Sequence, residues 1–547
     1  MVEQMGSELL ARQMVNEGVE DLFYIMGGPI IEAAGFAAEH GIRTIDCRHE
    51  QGAAMAAHGY ARVKRVPGVC MAASGPATTN LLTGVANAFL DGVPMVALGG
   101  AAAFSSFERD DFQEYDQLAM AVPVTRWASR VTHSARMPEF FNLAYREAQG
   151  PKPGPTYLDL PGDTLYQQSD DETTWFPDAG AARSRPGADP DQVKEAIELL
   201  ANAERPIVLT GTGIFWSDAS AELREFVETS GIPFYTTPQG RGVVPEDHDL
   251  CFIAARSKAF READVALVVG TRLNFVVGSG LPPRWSPDLK VIHVDTDPTE
   301  IGHNKEAAVG MVADAKRALV ALTAAAKEAG LAPPTDWIAD LRESDDNRRQ
   351  QSLELAHSST VPIHPLRLAD EVVQRMDRDA IVCVDGNATL AFARQYIPSY
   401  AEGGRLNPGP NGCMGVGLPF VLGAKAAAPE RQVIGFVGDG SFLMNVQEID
   451  TMVRHNLPAT IVISNNAGWT AGSNDTPGRP LGYGQRYEDI AVALGGHGEH
   501  VTDPEEIGPA IERAMESGLP AVVNVEVEQH AMPGQARFGG YSATLSR

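Results

Sequence analysis

Apolar residues occur along this chain in short runs that alternate with longer segments of mixed polar and apolar character. The runs fall at residues 44–47, 68–73, 95–98, 156–160, 206–209, 233–236, 265–269, 290–294, 380–384, 432–437, 460–464 and 521–525. Short continuous apolar runs predict buried strands, and the amphipathic segments between them predict helices. Because strands that alternate with helices form parallel sheets covered by helices, we predict an α/β fold.

Two stretches interrupt this alternation and divide the chain into three blocks. Residues 167–191 and 330–362 lose the apolar periodicity and are rich in Pro, Ser, Asp and Gly, which is typical of linkers. The length of 547 residues also supports a division into several domains, because one hydrophobic core rarely serves more than about 300 residues. We therefore predict three doubly wound parallel-sheet domains and a C-terminal segment, at residues 1–170, 190–330, 362–528 and 529–547.

The composition narrows the class of protein. Asp and Glu number 71 against 44 Lys and Arg, which gives a net charge of −27 and disfavours binding to nucleic acid or to anionic membranes. The first residues, MVEQMGSELLARQ, lack the basic and apolar regions of a secretory signal. The five cysteines form no CxxC pair, so we predict neither a zinc cluster nor a disulfide framework. The expectation is a soluble cytoplasmic enzyme.

The third block contains a strand, a Gly-rich turn, a helix predicted at 443–455 and a second strand. This segment reads QVIGFVGDGSFLMNVQEIDTMVRHNLPATIVISNNAGW. If the two strands are parallel neighbours, Asp439 and Asn466 lie together at their carboxyl ends, where α/β proteins usually bind ligands. Carboxylate and amide oxygens suit Mg²⁺, and the amides of Gly440 and Ser441 can receive a diphosphate. A simple capped turn is the alternative for GDGS alone.

The spacing of GDGSF and NN resembles the magnesium and diphosphate motif of thiamine diphosphate enzymes, and the whole chain resembles the acetolactate synthase superfamily. The resemblance implies that Asp439, Asn466 and the carbonyl of Gly468 hold Mg²⁺. It also makes Met414, in GCMGVGLP, the apolar residue between the two cofactor rings. The full set of implied cofactor contacts is Gly27, Gly28, Ser74, Asn80, Gly386, Asn387, Met414, Gly440, Ser441 and Trp469.

Such a cofactor needs a carboxylate at its aminopyrimidine ring. Glu50 stands where a strand gives way to a helix in RTIDCRHEQGAAMAAHGYAR, although a Glu in a first helical turn is also common without any catalytic role. This segment and ASGPATTNLLTGVANAFLDGVP resemble the pyrimidine-binding domain of the family, except that Ala77 replaces the usual Gly. The resemblance implies that Glu50 is the activating acid.

A polar stretch of the first block resembles an active-site loop. DDFQEYDQLAMAVPVTRW is similar to the loop of acetolactate synthases, oxalyl-CoA decarboxylase, benzaldehyde lyase and 2-hydroxyacyl-CoA lyases. The resemblance implies that Gln113 directs its amide at the substrate, with Phe112, Glu114 and Tyr115 beside it. From the residues alone, a polar surface loop is the alternative.

The central block indicates the substrate class. AARSKAFREADVALVVGTRLNF, GLPPRW and VIHVDTDPTEIGHN are similar to 2-hydroxyacyl-CoA lyases and oxalyl-CoA decarboxylase. Cationic side chains in an acidic chain can hold the phosphates of coenzyme A, although ordinary surface charges are the alternative. The predicted substrate contacts beyond the loop are Arg256, Asn274, Arg284, Arg405 and Tyr541, and ADP is a further predicted ligand of this domain.

The predicted activity is cleavage of the C1–C2 bond of a 2-hydroxyacyl-CoA to an aldehyde or ketone and formyl-CoA, with the reverse acyloin condensation allowed. The alternatives are oxalyl-CoA decarboxylase, a carboligase that does not use coenzyme A, and a non-catalytic adenine-nucleotide-binding protein. The resemblance implies a cofactor between the first block of one subunit and the third block of another, hence a homodimer or a homotetramer. It also implies that residues 529–547 close over the site.

Overall fold

The computed structural model describes residues 3–170, 174–180, 184–470 and 477–533. Three parallel sheets dominate this part of the chain, and a short antiparallel pair joins β1 (Glu3–Met5) to β8 (Gln168–Asp170). The predicted α/β fold with three parallel-sheet domains is confirmed. None of the helices in the described ranges has the length and apolar character that crossing a membrane requires.

The first domain has a six-stranded sheet in the order β3-β2-β4-β5-β7-β6. Its inner strands are buried on both faces, as the continuous apolar runs predict. The strands are β2 (Asp21–Tyr24), β3 (Arg43–Asp46), β4 (Gly68–Ala72), β5 (Met95–Ala101), β6 (Trp127–Arg130) and β7 (Pro155–Pro161). The helices are α1 (Gly6–Asn16), α2 (Ile31–Glu39), α3 (Glu50–Lys64), α4 (Pro76–Asp91), α5 (Gln117–Ala121), α6 (Met137–Ala148) and α7 (Gly162–Tyr166).

The central domain has a five-stranded sheet in the order β10-β9-β11-β12-β13. Its strands are β9 (Pro206–Thr210), β10 (Phe234–Thr236), β11 (Val265–Val269), β12 (Lys290–Asp295) and β13 (Val309–Val312). Its helices are α8 (Pro190–Ala201), α9 (Thr212–Trp216), α10 (Ser220–Ser230), α11 (Arg256–Glu262) and α12 (Ala315–Ala329).

The second predicted linker is a helix for most of its length. Helix α13 (Thr335–Ala356) fills 22 residues of the stretch at 330–362. Its sequence is mainly polar, but Trp337 and Leu341 are buried in the apolar core of the central domain, and Ala356 packs in a small cluster of the third domain. A few anchoring contacts therefore hold a helix that the weak apolar periodicity did not predict.

The third domain has a six-stranded sheet in the order β15-β14-β16-β17-β19-β18. Its strands are β14 (Ile381–Asp385), β15 (Arg405–Leu406), β16 (Val433–Gly438), β17 (Thr460–Asn465), β18 (His497–Val501) and β19 (Ala521–Glu526). Its helices are α14 (Pro365–Arg375), α15 (Ala388–Tyr396), α16 (Gly417–Ala427), α17 (Asp439–Phe442), α18 (Glu448–Arg454), α19 (Tyr487–Ala493) and α20 (Ile507–Glu516).

The helix predicted at 443–455 is confirmed only in its second part, by α18. After α17 the chain forms a 3-10 turn at Leu443–Asn445, and α18 begins only at Glu448. The turn lets the side-chain amide of Asn445 donate to the carbonyl of Gly415, 2.7 Å away. A tertiary contact thus replaces the regular helix that local sequence favours.

Helix α3 of the first domain packs against α16 of the third domain through small residues. A Cβ added to Gly423 would lie 2.0 Å from the carbonyl oxygen of Ala56, and one added to Gly59 would lie 3.0 Å from the Cα of Phe420. The two helix backbones therefore approach closely only because these positions are glycine. This contact fixes the helix that begins with Glu50 against the third domain.

Candidate active site

Four residues predicted from the first domain form two hydrogen-bonded pairs near the carboxyl ends of its strands. The amide of Asn80 donates to the Oε2 atom of Glu50, 3.0 Å away. The hydroxyl of Ser74 donates to the Oε1 atom of Gln113 at 3.1 Å. Strand β3 precedes Glu50, β4 precedes Ser74 and β5 precedes Gln113, so the sheet order brings their side chains to one edge.

The loop that carries Gln113 is strained and firmly anchored. Glu108, Asp110 and Gln113 all have positive φ angles, at 58°, 54° and 58°. Non-glycine residues rarely adopt such angles, and they do so most often at functional sites. The buried side chain of Gln117 holds the loop, because it accepts from the amide of Gly75 at 2.9 Å and donates to the carbonyl of Gly100 at 2.7 Å.

The other predicted loop residues have different surroundings. Phe112 is 81% exposed and Tyr115 is 54% exposed, so both rings are open to solvent in this chain. The carboxylate of Glu114 instead accepts from the backbone amides of Glu108 and Asp111, at 2.6 and 2.9 Å. Glu114 therefore stabilises the loop, whereas the two rings are free to contact a ligand or another subunit.

The glycines predicted after β2 lie beside the same edge. A Cβ added to Gly27 would be 2.8 Å from the Cβ of Ala73, next to Ser74. Gly28 opens a 3-10 turn with a φ of 21°. A side chain at position 27 would therefore clash with Ala73, so glycine lets the chain after β2 pass close to the backbone beside Ser74.

The predicted metal ligands come together at the carboxyl edge of the third sheet. Strands β16 and β17 are parallel neighbours, Asp439 follows the first, and Asn466 follows the second. The amide of Gly468 donates to the Oδ2 atom of Asp439 at 2.9 Å. Ala467, between Asn466 and Gly468, has a φ of 56°, so this loop is also strained.

The environment of Asp439 suits a cation. Its carboxyl is buried, and burial raises its pKa to about 6 against the opposing effect of the amides of Gly440 and Gly468. No basic side chain among the described residues forms an ion pair with it. Because a buried carboxylate is costly without a counter-charge, the donor set fits a hard divalent cation.

The turn after Asp439 is closely packed, and the amide of Gly440 donates to the Oδ1 atom of Asp439 at 3.0 Å. A Cβ added to Gly440 would lie 2.6 Å from the ring of Trp469, so only glycine lets the ring cover this turn. The hydroxyl of Ser441 donates to the carbonyl of Gly438 at 3.1 Å, which fixes the turn. The predicted cofactor residues of the third domain thus fit the diphosphate end of the cofactor.

A second acid, Asp385, organises the neighbouring loops. Its carboxylate accepts from the amides of Gly386, Gly415 and Gly417, at 2.6, 2.8 and 2.9 Å. The acid is fully buried, and burial raises its pKa to about 6. Since Gly386 and Gly415 have φ angles of 104° and 85°, the acid joins two glycine turns and holds Met414 between them.

A cavity of about 1940 Å³ lies where the three domains meet. Its wall includes Gly386, Asn387 and Met414 from the predicted cofactor side, and Asn274 and Arg284 from the predicted substrate side. Ten Arg or Lys side chains line it against six Asp or Glu, although the whole chain has 44 basic and 71 acidic residues. The cavity is therefore cationic within an acidic protein and suits an anionic ligand.

Of the other predicted substrate residues, Arg405 lines the cavity and Arg256 does not. Arg405 lines the cavity, but its guanidinium also donates to the carbonyls of Ala393 and Ile397. Arg256 lies outside the cavity wall, is 8% exposed and stacks on Phe260, and its Nε and Nη2 atoms have no hydrogen-bond partner. Burial, and then the charges of Arg284, Arg394 and Arg241, lower the pKa of Arg256 well below its usual range. This unpaired charge adds to the positive potential around the cavity.

The predicted closing segment at 529–547 lies mostly outside the described residues, and so does Tyr541. Within residues 529–533, Met532 and Pro533 line the cavity. The closing role remains a prediction.

Comparison with known proteins identifies the family. Residues 4–120 match the N-terminal TPP binding domain of thiamine pyrophosphate enzymes, residues 193–322 match their central domain, and residues 386–525 match their C-terminal TPP binding domain. The chain belongs to the thiamine diphosphate-dependent enzymes, in the acetolactate synthase superfamily. It is an enzyme that cleaves or forms carbon–carbon bonds.

The relatives have more than one activity. The chain is 37% identical to a probable acetolactate synthase of Mycobacterium bovis, over 95% of both chains. It is 34% identical to a 2-hydroxyacyl-CoA lyase of Oryza sativa, over 96% of both chains. It is 31% identical to an oxalyl-CoA decarboxylase of Escherichia coli, over 96% of this chain and 95% of that one.

Three buried residues of the site escaped the sequence analysis, namely Gln117, Asp385 and Glu448. Asp385 directly follows a predicted strand and precedes Gly386 and Asn387, so its position at a sheet edge was a usable indication. Gln117 and Glu448 act on backbone amides that are distant in sequence, and no local pattern indicates such contacts.

Proposed function

We propose that this protein is a thiamine diphosphate- and Mg²⁺-dependent 2-hydroxyacyl-CoA lyase. It cleaves the C1–C2 bond of a 2-hydroxyacyl-CoA into an aldehyde or ketone and formyl-CoA, and no oxidant or reductant is required. The observation that carries this proposal is the cationic cavity, which connects Met414 and Asn387 with Asn274 and Arg284. Coenzyme A has several phosphate charges that this wall can bind.

The site residues divide into cofactor and substrate roles. Asp439, Asn466 and the carbonyl of Gly468 hold Mg²⁺, and the turn at Gly440 receives the diphosphate. Glu50 bonds the aminopyrimidine ring. When bound, the cofactor supplies an electron sink for the carbanion that carbon–carbon cleavage leaves. Gln113, oriented by Ser74, directs its amide at the reacting carbonyl or hydroxyl group.

The acetolactate synthase relatives favour a second candidate, a carboligase that acts on pyruvate without coenzyme A. That reaction has small substrates, so the large cationic cavity would then serve another ligand, such as a nucleotide. Asp295 and Thr296 line the cavity at the end of β12, where strand ends of such domains bind adenosine. Binding of ADP there is compatible with either candidate.

Direct substrate tests separate the candidates. The purified protein with thiamine diphosphate and Mg²⁺ is incubated with formyl-CoA and a panel of aldehydes and ketones, and acyl-CoA products are read by mass spectrometry. We expect 2-hydroxyacyl-CoA products from formyl-CoA and these carbonyl compounds. In an incubation with pyruvate alone, we expect no acetolactate. Acetolactate from pyruvate without any acyl-CoA product would establish the carboligase. Oxalyl-CoA turnover to formyl-CoA and carbon dioxide would establish the decarboxylase.

Arg284→Gln tests whether the cavity binds coenzyme A. Losing one charge-assisted contact to a phosphate should raise the KM for the acyl-CoA by about tenfold or more, with little change in kcat. The control is Arg378→Gln, which removes an exposed guanidinium paired with Asp247. An unchanged KM for acyl-CoA would remove Arg284 from the substrate site.

We also propose that two subunits build each site. Phe112 and Tyr115 are exposed beside one half of the site, and Leu443 and Met444 are 46% and 48% exposed beside the other half. Large apolar side chains grouped near a site are typical of a surface that another subunit covers. The occupant is a second copy of this chain, in a dimer or a tetramer.

Mixing two inactive variants tests this arrangement. Glu50→Gln and Asp439→Ala subunits are co-refolded at equal ratio, and each hybrid dimer should then contain one intact site. Because half of random dimers are hybrids, activity should recover to about a quarter of the wild-type value. No recovery, with hybrid dimers verified by mass spectrometry, would show that each chain builds its own site.

A further inference from the structure

The carboxylate of Glu448 binds the backbone that immediately precedes Glu50. Its Oε1 atom accepts from the amide of His49 at 3.1 Å and from the amide of Arg48 at 3.2 Å. Its Oε2 atom accepts from the hydroxyl of Thr451 at 2.8 Å. Glu448 is fully buried and lies in the third domain, whereas the amides belong to the first.

The space for this carboxylate depends on Gly52. A Cβ added at that position would lie 2.4 Å from the Oε1 atom of Glu448. Helix α3 begins at Glu50, and amides before and within a first helical turn have no partners inside the helix. A negative charge at a helix N-terminus is also favoured by the helix dipole. The contact therefore fixes where α3 begins and how its first residue is held.

Glu448 belongs to the same short segment as the predicted metal ligand. Asp439 begins α17, Asn445 binds the carbonyl of Gly415, and Glu448 begins α18. This segment thus contacts the diphosphate turn, the Met414 loop and the start of α3. Besides the contact between α3 and α16, one buried acid thus links the third domain to the backbone that precedes Glu50.

The charge state of Glu448 is sensitive to its burial. Burial raises the pKa of Glu448 to about 7, while the Thr451 hydroxyl and the two backbone amides oppose this rise. The other groups that face it are Arg454 on α18 and Cys47 before α3, and the charge of Glu448 helps to raise the pKa of that thiol. No cation pairs with Glu448 among the described side chains, so the amides are its main stabilising partners.

We propose that Glu448 is a positioning residue, which orients Glu50 through the amides of Arg48 and His49 and so sets how well Glu50 activates the cofactor. This inference rests on the proposed role of Glu50. It assigns to Glu448 a function that the metal and diphosphate motif around it does not include.

Two variants weaken the contact in different ways. Glu448→Gln keeps the size of the side chain but removes its charge and places an NH₂ group where Thr451 now donates. Gly52→Ala adds a methyl group against the Oε1 atom. The control is Glu512→Gln, the same chemical change on α20 of the third domain, where the exposed carboxylate pairs with Arg375 and not with the α3 backbone.

The first measurement needs no cofactor. Hydrogen–deuterium exchange of the peptide around residues 46–52 is followed by mass spectrometry in the apoprotein. We expect exchange at the Arg48 and His49 amides to be about tenfold faster or more in both test variants, because a protecting bond is lost. Glu512→Gln should match the wild type. Unchanged protection in both test variants would overturn the proposal.

The second measurement is the exchange of the thiazolium C2 proton in bound thiamine diphosphate. Displacing a catalytic group by a small distance lowers the reaction rate strongly. We therefore expect C2 proton exchange to be about tenfold slower or more in Glu448→Gln and Gly52→Ala. The cofactor Kd and the unfolding midpoint should stay close to those of Glu512→Gln. A lower unfolding midpoint with normal C2 exchange would assign Glu448 a structural role only and overturn the proposal.

A double variant shows whether Glu448 acts through Glu50. Glu448→Gln should slow C2 exchange in the wild-type background but not further in the Glu50→Gln background. Additive losses would mean that Glu448 acts by another route and would overturn the proposal. Slow exchange in Glu50→Gln with normal exchange in Glu448→Gln would sink this inference alone. Normal exchange in Glu50→Gln would overturn the role of Glu50 and, with it, this inference.

Discussion

Glu50→Gln should slow exchange of the cofactor C2 proton by about 10² or more, a factor typical of the loss of a general acid or base. In the proposed role of Glu50, the change removes the charge that would stabilise the imino tautomer of the aminopyrimidine ring, but it keeps the length of the side chain. Asn80 can still hydrogen-bond the new amide oxygen, so the fold and cofactor binding should survive. The measurement is C2 proton exchange by quenched-flow NMR, with the cofactor Kd by calorimetry.

Glu20→Gln is the matched control for this variant. Glu20 lies in the same domain, and its exposed carboxylate pairs with Lys64 at 2.8 Å, away from the site. Its exchange rate should equal that of the wild type. Wild-type exchange in Glu50→Gln itself would remove Glu50 from the activating role.

Asp439→Ala should weaken binding of Mg²⁺ and thiamine diphosphate together, by about 100-fold or more, since even the groups that orient metal ligands contribute 10- to 100-fold. In the proposed site this carboxylate would hold Mg²⁺, and the ion would help to bind the anionic diphosphate, so the affinities for the ion and the cofactor should fall together. Asp439→Asn removes the charge but keeps the size of the side chain, and it should show most of the loss of metal and cofactor affinity. Both affinities are measured by calorimetry on the apoprotein.

Asp489→Asn controls for the loss of a carboxylate on the same domain, because that side chain is exposed on α19 and pairs with Arg486. It should bind metal and cofactor as the wild type does. Tight binding of thiamine diphosphate by Asp439→Ala in the presence of a chelator would show that Asp439 is not a ligand.

The inner strands of the sheets were predictable because burial on both faces demands continuous apolar runs. All twelve predicted strands are present, whereas β6, β13, β15 and β18 were missed and all four lie at sheet edges. An edge strand pairs on one side only, so its sequence can stay polar, as HGEHV in β18 shows. Strand β2, which is internal, was also missed, and so were β1 and β8 of the short antiparallel pair.

The candidate site was predictable where residues with suitable functional groups directly follow a predicted strand. Glu50, Asp439 and Asn466 each follow a predicted strand or stand at a helix start, and the order of the strands then places them at the carboxyl edge of their own sheet. Arg256 shows the limit of this reasoning, since composition indicates a charge but not whether it faces a cavity or the protein interior. Glu448 shows another limit, because its partners are 399 and 400 residues away along the chain.

Helix α13 determines how substrates can enter the cavity. At 1.5 Å per residue its 22 residues form a rod of about 33 Å. Asp345 near its middle accepts from the amides of Ala254 and Ala255 in the central domain, at 2.7 and 3.2 Å. Near its end, Ser352 accepts from the side chain of Gln395 in the third domain at 3.0 Å. A spacer attached at both ends holds the two domains at a fixed separation, so hinge bending between them is disfavoured. Ligand entry and release then require movement only of segments at the mouth, and X-ray scattering profiles with and without an acyl-CoA should superimpose.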